Sequence, residues 1–169
     1  MLRIELLSRG HDRESFSCGE RDLDDYLKGT ARQHNDKGIS RTFVLVDSDE
    51  PAKILAFFTL ASCEVVATEL PPEYAKKYSR KAPAAKLARL AVARDLQRQG
   101  FGGLMMVDAM RRTLAVAEHI GIIGFFVDAK NQGAREYYEQ YGFVALPDHP
   151  LTLFLPLATL AAAVEALGK

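Results

Sequence analysis

The sequence predicts a mixed α/β fold, a sheet with antiparallel and parallel neighbours flanked by helices, and two observations carry that prediction. Arg41 to Asp47 and Lys53 to Ala67 are apolar runs, the first rich in β-branched and aromatic residues, around the polar turn Ser48-Asp49-Glu50-Pro51, the pattern of an antiparallel hairpin. Ala84 to Ala93, a glycine loop, the helical run Leu104 to His119 and the apolar run Ile122 to Val127 then give strand, helix and strand over about 45 residues, a right-handed crossover if the strands are parallel neighbours.

A chain of 169 residues is expected to form one domain, residues 1–169. At that length about 70% of the unfolded chain's surface is buried on folding, enough for a core. The hydrophobic fraction of 48% and charged fraction of 26% are those of an ordinary globular protein. Formal net charge is zero, so global charge predicts no partner. Locally, residues 73–98 carry Lys76, Lys77, Arg80, Lys81, Lys86, Arg89, Arg94 and Arg98 against Glu73 and Asp95, whereas residues 1–50 carry eleven acids and eight bases. Cys18 and Cys63 stand singly with no histidine at ligand spacing, so no metal site and no disulfide framework is expected, and a reducing cytoplasm fits. Arg3, Glu5 and Arg9 interrupt the N-terminus, which builds no signal-peptide apolar region. Leu151 to Leu167 is broken by Pro156 and Glu165 and is too short to span a bilayer, so no membrane association is expected.

Taken in order, Leu2 to Leu7 suits a first strand, and Arg9 to Arg13 a polar turn. Phe16 to Leu27 reads as a loop entering a helix, with acids Glu20, Asp22, Asp24 and Asp25 at its start and Leu23, Tyr26 and Leu27 at helical spacing. A second helical piece, Thr30 to Lys37, ends at Gly38. This pair either covers a sheet face or shapes a substrate site. Leu70 to Lys81 starts as a short basic helix or loop, and Pro83 introduces the next strand. On the central helix Met106, Val107, Met110, Leu114 and Ala117 make an apolar stripe, Asp108, Arg111, Arg112 and Glu118 face water, and Gly121 caps the end. His119 is read as a surface residue without a catalytic role. Asn131 caps the following helix, which stops at Gly142. Leu157, Leu160, Ala161, Val164 and Leu167 place a last helix after Pro156, packing on the sheet or contacting a partner.

Chemistry points to Gln97-Arg98-Gln99-Gly100-Phe101-Gly102-Gly103. Three glycines bare the backbone where a helix begins, and first-turn N–H groups with the helix dipole make such an entry a phosphate cradle. Leu104 and Met105 stand where a Walker loop needs Lys-Ser/Thr, and no acid closes a second strand at dinucleotide-fold spacing, which disfavours nucleoside triphosphate and NAD. The pattern Gln-x-x-Gly-x-Gly between strand and helix resembles the pyrophosphate loop of the GNAT acetyltransferases. Tyr137-Tyr138-Glu139-Gln140-Tyr141-Gly142-Phe143 is similar to the Phe-Tyr-Glu-x-x-Gly-Phe segment that closes those domains.

The resemblance implies a twisted, mostly antiparallel sheet whose two central parallel strands splay apart. It also implies acetyl-coenzyme A as donor, held by Gln97, Arg98, Gln99, Gly100, Phe101, Gly102 and Gly103 at the diphosphate and by Leu90, Ala91 and Val92 along the pantetheine arm, with Asn131 in the same set. The amide-bearing arm would take backbone hydrogen bonds as a strand does. Tyr138 matches the family's general acid; a phenol near pKa 10 can protonate a thiolate whose thiol has pKa about 8.5. Tyr137 and Tyr141 are read as structural. Glu64 is the one candidate for a general base, against its reading as an exposed strand acid.

Phe16 to Leu27 with Ala31-Arg32-Gln33, Leu87 to Val92, and Pro147 to Leu153 are similar to the acetyltransferase toxins of type II toxin–antitoxin systems. That implies acetylation of the α-amine of aminoacyl-tRNA, a ribbon-helix-helix antitoxin and a homodimer. The basic segment, with Lys77, Arg80, Lys86 and Arg89, would then face tRNA phosphates. Arg89, on the opposite face of its strand from Leu90, either reaches substrate or pairs with an acid. A peptide α-amine has pKa about 7.7–8.0, so an aminoacyl ester needs no strong base. The chain differs from those toxins in its neutral charge and in Gln97, where many carry arginine. Two other readings stay open: an acetyltransferase for a small amine or protein amino group, and a non-catalytic acetyl-coenzyme A-binding module.

Overall fold

The computed structural model describes residues 1–168. Its strands form a seven-stranded sheet in the order β1-β2-β3-β4-β5-β7-β6, with β1 Leu2–Leu6, β2 Arg41–Asp47, β3 Ala56–Val66, β4 Lys81–Val92, β5 Gly124–Asp128, β6 Val144–Leu146 and β7 His149–Pro156. The helices are α1 Arg21–Gly29, α2 Ala31–Lys37, α3 Pro72–Ala75, α4 Phe101–Ala117, α5 Gln132–Glu139 and α6 Leu157–Leu167. Strand β4 pairs with β5 in parallel and the other described strand pairs are antiparallel, while the isolated bridge between Asp12 and Lys53 is parallel. The chain divides into two compact groups, Met1–Ala61 with Ala88–Ala109, and Ser62–Leu87 with the chain from Met110 onward.

In the first group, β1 pairs with β2 from Leu2↔Asp47 to Leu6↔Phe43, and β2 with β3 from Arg41↔Leu60 to Leu45↔Ala56. The alternation that makes β2 a strand buries Val44 and Val46 with Phe57, Tyr26 and Leu27 of α1, and Ala91 of β4. Phe16 closes this core edge-on to Phe57 at 5.5 Å. Buried polar groups are paired, as burial requires. Thr42 and Thr59 share a hydrogen bond of 2.8 Å, and Asn35 of α2 accepts from Thr42 N at 2.9 Å and donates to the Leu7 carbonyl at 3.4 Å. Helix α2 ends on Gly38, as its sequence predicts.

In the second group, β4 and β5 run parallel through Ala85↔Phe125, Lys86↔Phe126 and Leu87↔Val127. Strand β5 ends at Asp128 while β4 continues to Val92. Phe126 stacks on Phe154 of β7 at 4.8 Å and Tyr74 of α3 meets Phe154 edge-on at 5.3 Å, over buried Val65, Leu70, Ala84 and Leu146. Gly124 fits because a Cβ there would strike the Leu155 carbonyl and the Phe154 ring.

Several boundaries differ from the sequence reading. Strand β4 starts at Lys81, and Pro83 lies within it; its carbonyl still accepts from Ile123 N at 2.9 Å. Strand β3 starts at Ala56 rather than Lys53, because Lys53 N closes the hairpin turn on Glu50 O. Helix α4 starts at Phe101, so Gly102 and Gly103 form its first turn. It ends at Ala117, and Gly121 does not take the left-handed cap conformation. Its buried face is Met105, Met106, Ala109, Met110 and Thr113; Val107, Leu114 and Ala117 are half-buried, as are Asp108 and Arg112. Strand β5 starts at Gly124, after Ile122 and Ile123. The hairpin β6–β7 is unanticipated. Among the described residues no helix is long and apolar enough to cross a membrane, and no group of three metal-ligating side chains occurs.

Candidate active site

The loop between β4 and α4 is shaped by its own side chains. Gln97 Nε2 donates to the carbonyls of Cys18 at 2.8 Å and Val92 at 3.0 Å, tying the end of β4 to the segment before α1. Gln99 Nε2 donates to Asp95 O at 3.3 Å. Gly100, at φ 90, turns the chain into the helix, a left-handed conformation that side chains disfavour. Its carbonyl takes the Leu104 N–H at 3.1 Å, which leaves the N–H groups of Phe101, Gly102 and Gly103, the first turn of a 17-residue helix, without an intrahelical partner among the described residues. Arg98, also at positive φ, is exposed and has no ion pair among the described residues.

These features fit a diphosphate: bare amides, a helix dipole and one free guanidinium. Gln97 contributes by bracing, since its amide is spent on two carbonyls. Leu90 and Val92 are half-exposed and Ala91 is buried, on the part of β4 that outruns β5.

Helix α5 is positioned by Asn131, whose side chain accepts from Ala134 N at 2.9 Å, so this residue is a helix cap in fact as in sequence. At its far end Gly142, at φ 102, turns the chain toward β6. Three tyrosines follow different fates. Tyr137 and Tyr141 hydroxyls bond each other at 3.2 Å. Tyr138 lies edge-on to Tyr137 at 5.4 Å and to Phe143 at 5.9 Å, and its hydroxyl has no hydrogen-bond partner among the described residues. Burial, then the neighbouring Tyr141, push the Tyr138 phenol above its ordinary value. Tyr137 is pushed up as well, by burial first and its bond to Tyr141 second.

The basic side chains expected at substrate are partly engaged. In the first group Arg89 lies over the Tyr26 ring at 4.0 Å, so it stacks on an aromatic face rather than pairing with an acid. In the second group Lys77 Nζ sits 5.2 Å over Tyr74, and Lys86 Nζ meets Asp128 Oδ2 at 2.7 Å. Arg80 is exposed and has no ion pair among the described residues. Glu64 is exposed, 3.8 Å from Lys81 Nζ.

Asp128 was not singled out in the sequence. Its Oδ1 accepts from Thr152 Oγ1 at 3.1 Å, and with Lys86 it borders a cavity that also takes in the half-buried Cys63. Burial raises the Cys63 thiol's pKa, with Lys86 opposing and Asp128 adding. The available signal was an acid ending the apolar run Ile122 to Val127.

Comparison with known proteins places the chain in a family. Residues 75–151 match the model of the acetyltransferase (GNAT) domain. The chain is 34% identical over 149 residues to the tRNA-acetylating toxin of Mycobacterium tuberculosis, covering 88% of each protein. Its fold superposes on AtaT complexed with acetyl-methionyl-tRNAfMet with TM-score 0.86 and 31% identity over 100% of both chains. It superposes on a tyrosine-to-phenylalanine mutant of AtaT, bound to the C-terminus of the antitoxin AtaR and acetyl-CoA, with TM-score 0.80 and 27% identity, covering 95% of this chain and 96% of that one. The chain belongs to the GNAT acetyltransferase family, whose members take their acetyl group from acetyl-CoA.

Proposed function

We propose that the chain acetylates the α-amine of an aminoacyl-tRNA and so stops translation, acting as the toxin of a toxin–antitoxin pair. The observation that carries this reading is the likeness, along nearly the whole chain, to a tRNA-acetylating toxin and to AtaT in complex with acetyl-methionyl-tRNAfMet.

When bound, acetyl-CoA supplies an acetyl group on a thioester. The amides of Phe101, Gly102 and Gly103 and the Arg98 guanidinium hold its diphosphate, Gln97 and Gln99 brace the loop, and the β4 edge at Leu90, Ala91 and Val92 takes the pantetheine arm. Asn131 acts on the donor set by fixing the start of α5. In the transfer, a bond forms between the amine nitrogen and the acetyl carbon, the carbon–sulfur bond breaks, and the amine's proton is balanced by one gained at sulfur. Tyr138 delivers that proton. Its hydroxyl, without a hydrogen-bond partner among the described residues, supports the assignment, because it is open to the leaving sulfur. Arg80, Lys77, Lys86 and Arg89 meet the nucleic acid. The setting is cytoplasmic, the toxin acts as a homodimer, and a ribbon-helix-helix antitoxin neutralises it, as AtaT binds AtaR.

Inducible expression tests the reading. Growth should arrest with the wild type and continue with Tyr138→Phe at equal protein level. Unchanged growth with the wild type, or arrest by both, contradicts it. A thiol-release assay comparing charged tRNA with a panel of amines then identifies the acceptor.

A further inference from the structure

Arg89, half-buried on β4, is held in a way that leaves its charge unspent. Its guanidinium carbon lies 4.0 Å from the centre of the Tyr26 ring on α1, within the first group. It has no ion pair among the described residues, and the hydrogen bond from its Nη1 to the Ala88 carbonyl is long, at 3.4 Å. The acids of α1 are engaged elsewhere: Asp24 accepts from Cys18 N at 2.9 Å, and Asp25 lies 3.8 Å from Arg21 Nε. A carboxylate neutralises the cation it orients. The π face of a ring attracts the cation and leaves its N–H fork and its charge for an anion. A guanidinium held in this manner is ready for the two parallel hydrogen bonds that arginine makes to a phosphate.

The ring is itself fixed, by the end of α2. Gly38, at φ 74, reverses the chain so that the N–H groups of Ile39 and Ser40 reach back to the His34 carbonyl at 3.0 and 3.5 Å. That turn sets Ser40 Oγ 3.1 Å and His34 Nδ1 3.4 Å from the Tyr26 hydroxyl, and the His34 ring stands edge-on to Tyr26 at 5.8 Å. Tyr26 and Ser40 are both buried, so packing and hydrogen bonding together set the plane of the phenol.

We propose that Tyr26 is a positioning residue for RNA binding: its ring, locked by Ser40 and His34, holds the Arg89 guanidinium un-neutralised for a phosphate of the acceptor. Tyr26 acts through Arg89 and touches no substrate. The inference rests on the aminoacyl-tRNA reading above and gives the α1–α2 pair a part in it.

The test is a double-mutant cycle on binding of total aminoacylated tRNA, measured over a salt series without acetyl-CoA so that no turnover occurs. Acetyl-CoA affinity, measured on every variant, checks folding. Arg89→Ala should lower the salt slope by about one phosphate contact. Tyr26→Met, which fills the space but removes the π face, should weaken binding about two- to thirty-fold, the range of a cation–π contact, and add nothing in the Arg89→Ala background. Tyr26→Phe, which keeps the face, should stay within about three-fold of the wild type. One readout needs no variant to fold: the NMR signals of the Arg89 side chain in the wild type should shift when the tRNA is added. An equal loss from Tyr26→Met with and without Arg89, a loss from Tyr26→Phe as large as that from Tyr26→Met, or Arg89 signals indifferent to tRNA overturns the positioning role. Provided the wild type binds the tRNA, the aminoacyl-tRNA reading then still stands. A wild type that does not bind it overturns both.

Discussion

Three tyrosines share one short helix, and hydrogen bonding separates them. The pairing of Tyr137 with Tyr141 leaves Tyr138 with a hydroxyl that has no hydrogen-bond partner among the described residues. Removing only that oxygen, in Tyr138→Phe, should lower kcat about 10²–10⁴-fold, the range for a positioned general acid, with acetyl-CoA affinity nearly unchanged. Single-turnover kinetics with titration of the donor separates the two quantities. The same cluster makes a stability prediction. Both Tyr137 and Tyr138 have folded-state values above the ordinary phenol, chiefly through burial. Their contribution is therefore complete below about pH 10 and is lost as pH rises through the folded values, because the unfolded chain releases its protons first. Unfolding titrations above pH 10 should show a steep loss of stability that Tyr137→Phe moderates; a loss identical in the variant would contradict the burial argument.

At the scale of elements, two short signals shape the entries of α5 and α4, and both were legible as a cap and a turn. Asn131 caps α5 through Ala134 N at 2.9 Å. Asn131→Ala should cost about 1 kcal/mol, which lowers Tm by about 2–4 °C in a chain of this size, measurable by calorimetry. Gly100 at φ 90 has open space around it, so a methyl group there meets no atom and only the backbone conformation objects. Gly100→Ala should cost about 1–2 kcal/mol, and weaken acetyl-CoA binding if the turn is relaxed. Where element boundaries were missed, the reasons are local. Glycines lower helix propensity by about 1 kcal/mol each, so Gly102 and Gly103 read as loop although they form the first turn of α4. Strand β6 is three residues long, too short for alternation to register, and the Pro147-Asp148 turn joining it to β7 was read only as part of a tail.

Across the whole molecule, legibility follows how local the chemistry is. The donor loop is a run of seven residues, and its sequence was enough to point to a diphosphate. The cavity beside Asp128 draws Cys63 from β3, Lys86 from β4, Asp128 from β5 and Thr152 from β7, residues that only the strand register brings together. The basic segment likewise looked uniform in sequence, yet half-buried Arg89 lies over Tyr26 and half-buried Lys86 pairs with Asp128, while Lys77, Arg80 and Arg98 are exposed. Arg80→Ala should therefore weaken binding of all tRNAs alike and reduce the salt slope of binding by about one phosphate contact. An unchanged slope would remove Arg80 from the interface. The central claim is tested most directly by incubating the protein with charged tRNA and labelled acetyl-CoA, hydrolysing the ester bond and identifying the labelled product. An N-acetyl amino acid, absent with Tyr138→Phe, is expected; label found only on uncharged tRNA, on protein or on free amines would overturn aminoacyl-tRNA acetylation.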